Sequence, residues 1–291
     1  MLLWMIFAIL TILLCGVAGV ISKYALRSAT TSTLVISSFI VIMPVSLFLL
    51  IYYTVVRGLE GVDPAYVALG LLSALFANLG FFLYFDSLER GPLLIVGPIS
   101  SAYPAIIVVA AILVLGETLD PLQTLGVTMT MAGVVALLYL HGAAMGKMKC
   151  PRSALALAIL AVISWGIWGI VLKAALRELD VILYLGLSTL VMPPLTLGYL
   201  KLRNRGKKIG IPKFSLPVIL AIISVEVEQL GFFSETFAVS NGPASLVFPV
   251  VASYPVVTII VAYAFLKERI SLKEALLIIA VIGGIILLST V

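Results

Sequence analysis

Apolar residues follow one another in runs of about 20 along almost the whole chain, separated by short stretches that are polar or rich in Gly and Pro. A helix of about 20 residues crosses the hydrocarbon core of a bilayer. The pattern therefore predicts an all-α integral membrane protein with ten transmembrane helices and no soluble domain. Their approximate limits are 2–24, 33–55, 64–88, 92–115, 119–140, 153–176, 181–201, 214–239, 243–266 and 271–290.

The two halves of the chain share a pattern of residues. The pairs spaced by 151 residues include Gly91 and Gly242, Pro92 and Pro243, Pro98 and Pro249, Tyr103 and Tyr254, and Pro104 and Pro255. The sequence thus predicts two five-helix repeats, 1–140 and 153–291, joined by a linker at 141–152. Because five is odd, the second repeat begins on the opposite side of the membrane, as in the inverted repeats of secondary transporters.

Four prolines interrupt the predicted fourth and ninth helices: Pro98, Pro104, Pro249 and Pro255. A proline inside a helix leaves a backbone carbonyl without its hydrogen bond, which a membrane tolerates in buried protein or beside a water-filled cavity. We therefore expect helix breaks with a gating role. The neighbouring polar residues Ser101, Tyr103, Ser253 and Tyr254 become candidates for substrate binding. The alternative is an ordinary kink satisfied by a neighbouring helix or by a serine of its own turn.

The predicted eighth helix carries Glu226, Glu228 and Glu235. An acidic residue within a membrane helix faces the protein interior or water and is a functional candidate. Glu228 and Glu235 lie two turns apart on a stripe with Phe232, a further candidate for substrate binding, whereas Glu226 points roughly the opposite way. We expect Glu228, with Glu235 as a second station and Glu226 as a further candidate, to bind a coupling proton or a substrate ammonium group. The alternative is a structural acid that pairs with a lysine or hydrogen-bonds in its neutral form.

Further candidates for substrate binding lie on the predicted third and sixth helices. Asn78 of the third helix could contact substrate or make an interhelical hydrogen bond. Trp165 and Trp168 lie about one turn apart on the sixth helix. Their rings suit an ammonium group through cation–π attraction, although tryptophan is also common as an anchor at membrane interfaces.

The ordered combination of these features resembles the EamA-like family of the drug/metabolite transporter superfamily. It comprises two five-helix repeats, a Gly-Pro opening each fourth helix, a Pro within it, and Gly-Glu-Thr-Leu or Lys-Glu-Arg-Ile at its end. The resemblance implies a ten-helix carrier of small organic metabolites, often an exporter, with its cavity between the repeats. It also suggests that Glu117 and Glu268, at those two helix ends, hydrogen-bond across the adjoining loop into the fifth and tenth helices.

Composition agrees with a membrane protein, since 63% of the residues are hydrophobic and only 11% are charged. The net charge of +5 comes from residues scattered over short loops, so lipid and not nucleic acid is the expected partner. Two cysteines and one histidine offer no metal cluster and no catalytic triad, and no phosphate-binding loop is present. We expect no cofactor, no metal and no enzyme activity.

Lysine and arginine also predict the orientation of the chain. Alternate loops carry 15 basic residues on one side and three on the other, which places both termini outside a plasma membrane. The function predicted is a secondary-active carrier, monomeric or homodimeric, that exports an amino acid or amine by alternating access, with proton coupling. The alternatives are an uptake carrier for quaternary amines or osmolytes, a lipid-linked sugar flippase, and a non-transporting membrane scaffold.

Overall fold

The computed structural model describes residues 2–25, 31–91, 93–143, 150–204, 215–266 and 270–289. All regular secondary structure in these ranges is α-helical, which confirms the predicted all-α class. The helices of these ranges are α1 (Leu2–Ala25), α2 (Thr31–Val56), α3 (Pro64–Arg90), α4 (Leu93–Ser100), α5 (Tyr103–Leu115), α6 (Pro121–Ala143), α7 (Arg152–Ala175), α8 (Val181–Asn204), α9 (Leu216–Asn241), α10 (Ala244–Val251), α11 (Tyr254–Leu266) and α12 (Leu272–Ser289).

Seven segments of the described residues are long and apolar enough to cross a membrane. They are Leu3–Ile21, Val35–Val56, Pro64–Arg90, Pro121–Leu140, Arg152–Ala175, Val181–Arg203 and Ala244–Val261. Large apolar side chains such as Phe48, Leu113 and Ile279 are exposed on the outside of the bundle, as expected for surfaces that face lipid. The chain is therefore a multi-pass membrane protein.

The predicted fourth and ninth helices are each broken into two, at residues 101–102 and 252–253. Each break falls between the two prolines of a half and not at either of them. Pro104 and Pro255 instead occupy the first turns of α5 and α11, where proline is favoured. The turns satisfy their own backbone, because Ala102 N donates to Ile99 O at 3.1 Å and Ser253 N donates to Val250 O at 3.0 Å.

The helices of the two halves pack in an exchanged pattern. The first helix of each half packs against the third helix of the other, α1 on α9 and α7 on α3, while α2 packs on α8 and α6 on α12. A serine hydroxyl bonds a backbone carbonyl across each of the first two interfaces. Ser164 Oγ donates to Phe76 O at 2.8 Å, and Ser234 Oγ donates to Phe7 O at 2.7 Å. The helix packing is thus reciprocal between the halves, while both serine donors belong to the second half.

Candidate functional site

A central cavity lies between the two halves, walled by α2 and α3 of the first and α8 and α9 of the second. The volume open to water-sized molecules is about 40 Å³. Its lining residues are Val35, Ser38, Ile42, Ala74, Ala77, Asn78, Phe81, Phe82, Phe85, Ser188, Met192, Val225, Glu228, Gln229 and Phe232.

Most of this lining consists of positions that match between the halves. The matched pairs are Ser38 and Ser188, Ile42 and Met192, Ala74 and Val225, Ala77 and Glu228, Asn78 and Gln229, and Phe81 and Phe232, at spacings of 150 or 151 residues. Equivalent residues meet in one place only near the axis that relates two halves. The central cavity therefore lies where matched positions of the two halves meet.

The central cavity extends toward one end of the bundle. The lining residues without a matched partner in the wall are Val35, Phe82 and Phe85. Val35 lies in the first part of α2, and Phe82 and Phe85 lie in the last part of α3. We call the end at which α2 begins and α3 ends the cavity end.

The wall of the central cavity carries one acidic side chain, that of Glu228, because the matched position in the first half is Ala77. Near it lie two carboxamides, those of Asn78 and Gln229, and Asn78 Nδ2 donates to Ala74 O at 2.8 Å. Phenyl rings make up much of the remaining surface. A single carboxylate among amide groups and aromatic faces suits a small organic molecule that carries an ammonium group.

Of the candidates predicted for substrate binding, Asn78, Glu228 and Phe232 line the central cavity. An aromatic cluster lies behind them: the Trp168 ring stacks on Phe232 at 5.8 Å between centroids, and Tyr103 contacts Trp165 at 5.7 Å and Trp168 at 6.3 Å. These three residues therefore support the wall and do not line it.

The remaining candidates lie at the helix breaks. Ser101 is in the turn before α5, and Tyr254 is the first residue of α11. Ser253 is buried and its hydroxyl donates to Val250 O at 2.6 Å, so it stabilises the turn of its own chain. Pro249 is buried inside α10, whereas Pro98 lies within α4 but its side chain is outside the described part of the structure.

The other two acidic candidates of α9 have different surroundings. Glu235 is only 7% exposed and lies outside the lining of the central cavity. Glu226 is exposed on another side of the helix. The structure thus separates three residues that are close in sequence into a cavity acid, a buried acid and a surface acid.

Glu117, which follows α5, binds the first turn of α10. Its carboxylate accepts hydrogen bonds from Ala244 N at 2.8 Å, Ser245 N at 2.8 Å and Ser245 Oγ at 2.6 Å. An acidic group is stabilising at a helix N-terminus, where backbone N–H groups lack partners. The expectation that Glu117 bonds into the fifth predicted helix is wrong, because the residue reaches into the other half of the chain. Glu268 lies outside the described residues.

Lys173 and Arg177 lie at the same junction as Glu117. We call these three residues the clamp. Lys173 Nζ donates to Val239 O at 2.8 Å and to Gly242 O at 2.7 Å, at the end of α9. Arg177 donates to Leu115 O at 3.2 Å. Basic groups are stabilising at helix C-termini, where carbonyls lack partners. Neither residue pairs with Glu228 or Glu235 in the described contacts.

The clamp lies at the end of the bundle opposite the cavity end. Helix α7 begins beside the last part of α3, where Ser87 Oγ donates to Ala154 O at 2.7 Å. It then runs the length of the bundle and ends at Lys173 and Ala175. At this clamped end α5 and α10 pack together, so the central cavity extends away from the clamp.

Ser38, Ser188 and Gln229 line the cavity, although the sequence was not used to predict this. A signal was present, since Ser38 and Ser188 match at a spacing of 150 residues and Asn78 and Gln229 match at 151. A search for polar residues at matched positions would have found all of them. Serine is common in membrane helices for packing, so one serine alone indicates little.

Comparisons with known proteins agree with this architecture. The sequence model of the EamA-like transporter family matches residues 2–139 and 152–290. A solved crystal structure, described only as that of a protein, superposes with a TM-score of 0.75 at 19% identity and covers 98% of this chain and 95% of that one. An uncharacterized protein of Methanocaldococcus jannaschii is 38% identical over 69 residues, which is 24% of this chain and 50% of the relative. The chain thus matches about half the length of that relative.

Proposed function

The chain belongs to the EamA-like transporter family, and from this premise we propose that it is a secondary-active carrier of a small organic metabolite that works by alternating access. The favoured substrate is an amino acid or an amine, and the favoured direction is export. The observation that carries the proposal is the central cavity. Both halves of the chain build it, and Glu228 is its one acidic lining residue.

The packing supports an arrangement of two inverted repeats, residues 1–140 and 153–291. If α4 with α5 and α10 with α11 each count as one crossing, both halves cross the membrane five times and the chain ten times. An odd number of crossings directs the second half opposite to the first. The two-fold axis then lies in the membrane plane, and rocking of the halves exposes a central site to each side in turn.

The distribution of basic residues supports an orientation in a plasma membrane. The loops at the cavity end carry 15 of the 18 Lys and Arg residues, so this end faces the cytoplasm and both termini lie outside. In this orientation the central cavity opens inward and the clamp closes the outer side. A carrier ready to receive a cellular metabolite for export has this form.

Each candidate residue has a place in the proposed cycle. Glu228 binds the ammonium group, Asn78 and Phe232 contact the rest of the substrate, and the aromatic cluster of Tyr103, Trp165 and Trp168 supports them. The residues at the breaks allow α4–α5 and α10–α11 to move during the exchange of access. They are Pro98, Ser101, Pro104, Pro249, Ser253, Tyr254 and Pro255. We leave Glu226 out of the site because its side chain is exposed.

Uptake of a quaternary amine is the second candidate function. Four phenyl rings, those of Phe81, Phe82, Phe85 and Phe232, line the central cavity together with Glu228. Aromatic faces and a carboxylate are the groups by which proteins bind quaternary ammonium ions. In the described residues no comparable observation favours a flippase or a scaffold.

Transport by the purified protein in lipid vesicles tests the proposal. We expect saturable uptake of labelled amino acids or 2-phenylethylamine that is stimulated by unlabelled substrate on the other side. Choline as a competitor distinguishes the quaternary-amine alternative. Glu228→Gln should reduce uptake at least about tenfold, since a hydrogen bond to a charged group contributes about 1.5–3 kcal/mol.

Glu60→Gln is the matched control, because Glu60 is exposed in the connection between α2 and α3. It should transport at the wild-type rate. If the wild-type protein moves none of these compounds with counter-flow stimulation, the carrier proposal is wrong. If Glu228→Gln transports like Glu60→Gln, the central cavity is not the substrate site.

A further inference from the structure

Glu235 is an acidic residue in the interior that the proposed substrate site does not use. It lies two turns beyond Glu228 on α9 and is 7% exposed. Its Oε1 atom is buried and accepts no hydrogen bond from the described residues. Burial of a carboxylate without a partner is costly, whereas the neutral acid is tolerated far better. The group therefore requires an explanation of its own.

An aromatic wall separates Glu235 from the central cavity. Phe232 lies one turn from Glu228 and one turn from Glu235, and it lines the cavity. The Trp168 ring stacks on Phe232 at 5.8 Å and meets Phe248 edge-on at 5.4 Å. Trp168 and Phe248 are almost fully buried. A substrate in the central cavity therefore reaches Glu228 but not Glu235.

The groups that face Glu235 from neighbouring helices are hydroxyls and a thiol. Electrostatic interactions connect it with Cys15 of α1, Tyr103 of α5, Tyr184 of α8 and Tyr254 of α11. Tyr184 OH is also 3.1 Å from Ser73 Oγ, and the Trp168 side chain lies beside it.

No basic group of the described residues pairs with Glu235. Lys173 of α7 donates instead to Val239 O and Gly242 O. On α9 itself the nearby acid is Glu228, which shares Tyr254 and Cys15 as electrostatic neighbours. Among the described residues these surroundings offer no positive charge to balance a carboxylate, whereas a neutral acid needs none and can donate its O–H to a hydroxyl.

We propose that the two interior acids of α9 divide the work of the carrier: Glu228 binds the substrate ammonium group, and Glu235 binds only a proton. This inference rests on the proposed function for the role of Glu228. A proton needs no cavity, because it adds to the carboxylate oxygen to form a neutral acid and breaks no other bond. Its release to water returns the carboxylate, so substrate and proton can occupy the protein on separate residues.

Vesicle transport distinguishes the two roles. Glu235→Gln mimics the neutral acid permanently, so accumulation of 2-phenylethylamine driven by a proton gradient, taken above that in protein-free vesicles, should fall at least about tenfold. Exchange of labelled for unlabelled 2-phenylethylamine needs no net proton movement, and it should stay within about twofold of wild type. Glu228→Gln should lose both reactions. If Glu235→Gln is folded but loses exchange too, or keeps proton-driven accumulation, the division of roles is wrong.

Infrared spectroscopy of the purified protein tests Glu235 without any transport. We expect a carboxylic-acid C=O band that is absent in Glu235→Gln, is present in Glu226→Gln, and does not shift when 2-phenylethylamine is added. A second band, absent in Glu228→Gln, should change with the amine. Should no band be lost in Glu235→Gln at any pH at which the protein is folded, Glu235 is not a proton site. If the wild-type protein does not transport, the carrier proposal is refuted, but the infrared result still shows whether Glu235 binds a proton.

Discussion

At the scale of single residues, matched glycines let bulky partners approach the two interfaces between the halves. A Cβ atom on Gly80 would lie 2.5 Å from the Trp165 ring, and one on Gly231 would lie 2.5 Å from Cys15 Sγ. Gly80 and Gly231 match at a spacing of 151 residues, and Cys15 and Trp165 match at 150. The same close approach is therefore built twice, with a thiol on one side and an indole on the other.

The close contact between Gly80 and Trp165 predicts that Gly80→Ala lowers the stability of the protein. The added methyl group must displace Trp165, and overpacking of this kind costs about 1–3 kcal/mol. That loss exceeds the gain of about 1 kcal/mol from replacing glycine by alanine inside a helix. We expect a lower temperature of thermal unfolding in detergent. The control is Gly198→Ala in α8, where a Cβ meets nothing within 4 Å and the temperature should hold or rise. If the two variants unfold at the same temperature, Trp165 does not pack closely on Gly80.

Residue types alone revealed part of the cavity wall. Charge and aromaticity are rare enough in a membrane helix to point to Glu228, Asn78 and Phe232. They do not say which residues face water and which stand behind. Trp168 and Tyr103 have the chemistry of substrate contacts, yet they pack behind Phe232 because side chains of three other helices meet there. Which side chains line the cavity and which pack behind it depends on packing between helices, and local sequence does not show this packing.

At the scale of elements, side chains bind the helix ends at the clamped end of the bundle, some within one half and some between the halves. Helix α10 begins at Ala244, and its first N–H groups bind Glu117 from the other half. Lys173 binds the carbonyls at the end of α9. The clamp thus holds together the clamped ends of α5, α7, α9 and α10.

The clamp predicts that Glu117→Ala loosens the clamped end. The change removes three hydrogen bonds and leaves the first N–H groups of α10 without an acceptor, at about 1–3 kcal/mol for each buried group that stays unpaired. We expect a lower unfolding temperature and a larger distance between spin labels at the exposed residues Thr118 and Asn241, measured with the native cysteines replaced by serine. Asp63→Ala is the control, since Asp63 caps its own helix α3 through Ala65 N and should leave that distance unchanged. An unchanged distance in Glu117→Ala would show that the clamp does not hold this end.

The elements were largely predictable, and their partners were not. Runs of apolar residues gave the helices, and paired prolines gave the two broken ones. The partner of Glu117 lies 127 residues away in sequence, so the family resemblance, which suggested a bond across the adjoining loop, indicated the wrong helix. The shift of the breaks to residues 101–102 and 252–253 has a local reason. Proline fits the first turn of a helix, and Pro104 and Pro255 therefore start segments and do not end them.

At the scale of the whole molecule, symmetry sets the place of the cavity and a departure from symmetry sets its chemistry. Six matched pairs line the wall, and in one of them alanine faces glutamate. Strict symmetry would place either two carboxylates or none beside the axis. Two like charges at close range would repel each other, and none would leave an ammonium group without a counter-charge. One acid in one half is the arrangement that binds a single cation.

The matched positions of the wall predict that the carboxyl group of Glu228 can be replaced by one at position 77 of the first half. Glu228→Ala should weaken binding of 2-phenylethylamine at least about tenfold, since it removes the charged partner. Combining it with Ala77→Glu restores one carboxylate at the matched position of the wall, and equilibrium binding should recover at least in part. The control combines Glu228→Ala with Ala65→Glu, which adds the same charge to the exposed first turn of α3, where an acid is tolerated. If the Ala77→Glu combination is folded and binds 2-phenylethylamine no better than this control, the central cavity is not a site shared between two equivalent halves. The position of the acid within α9 then matters for a reason other than the two-fold axis.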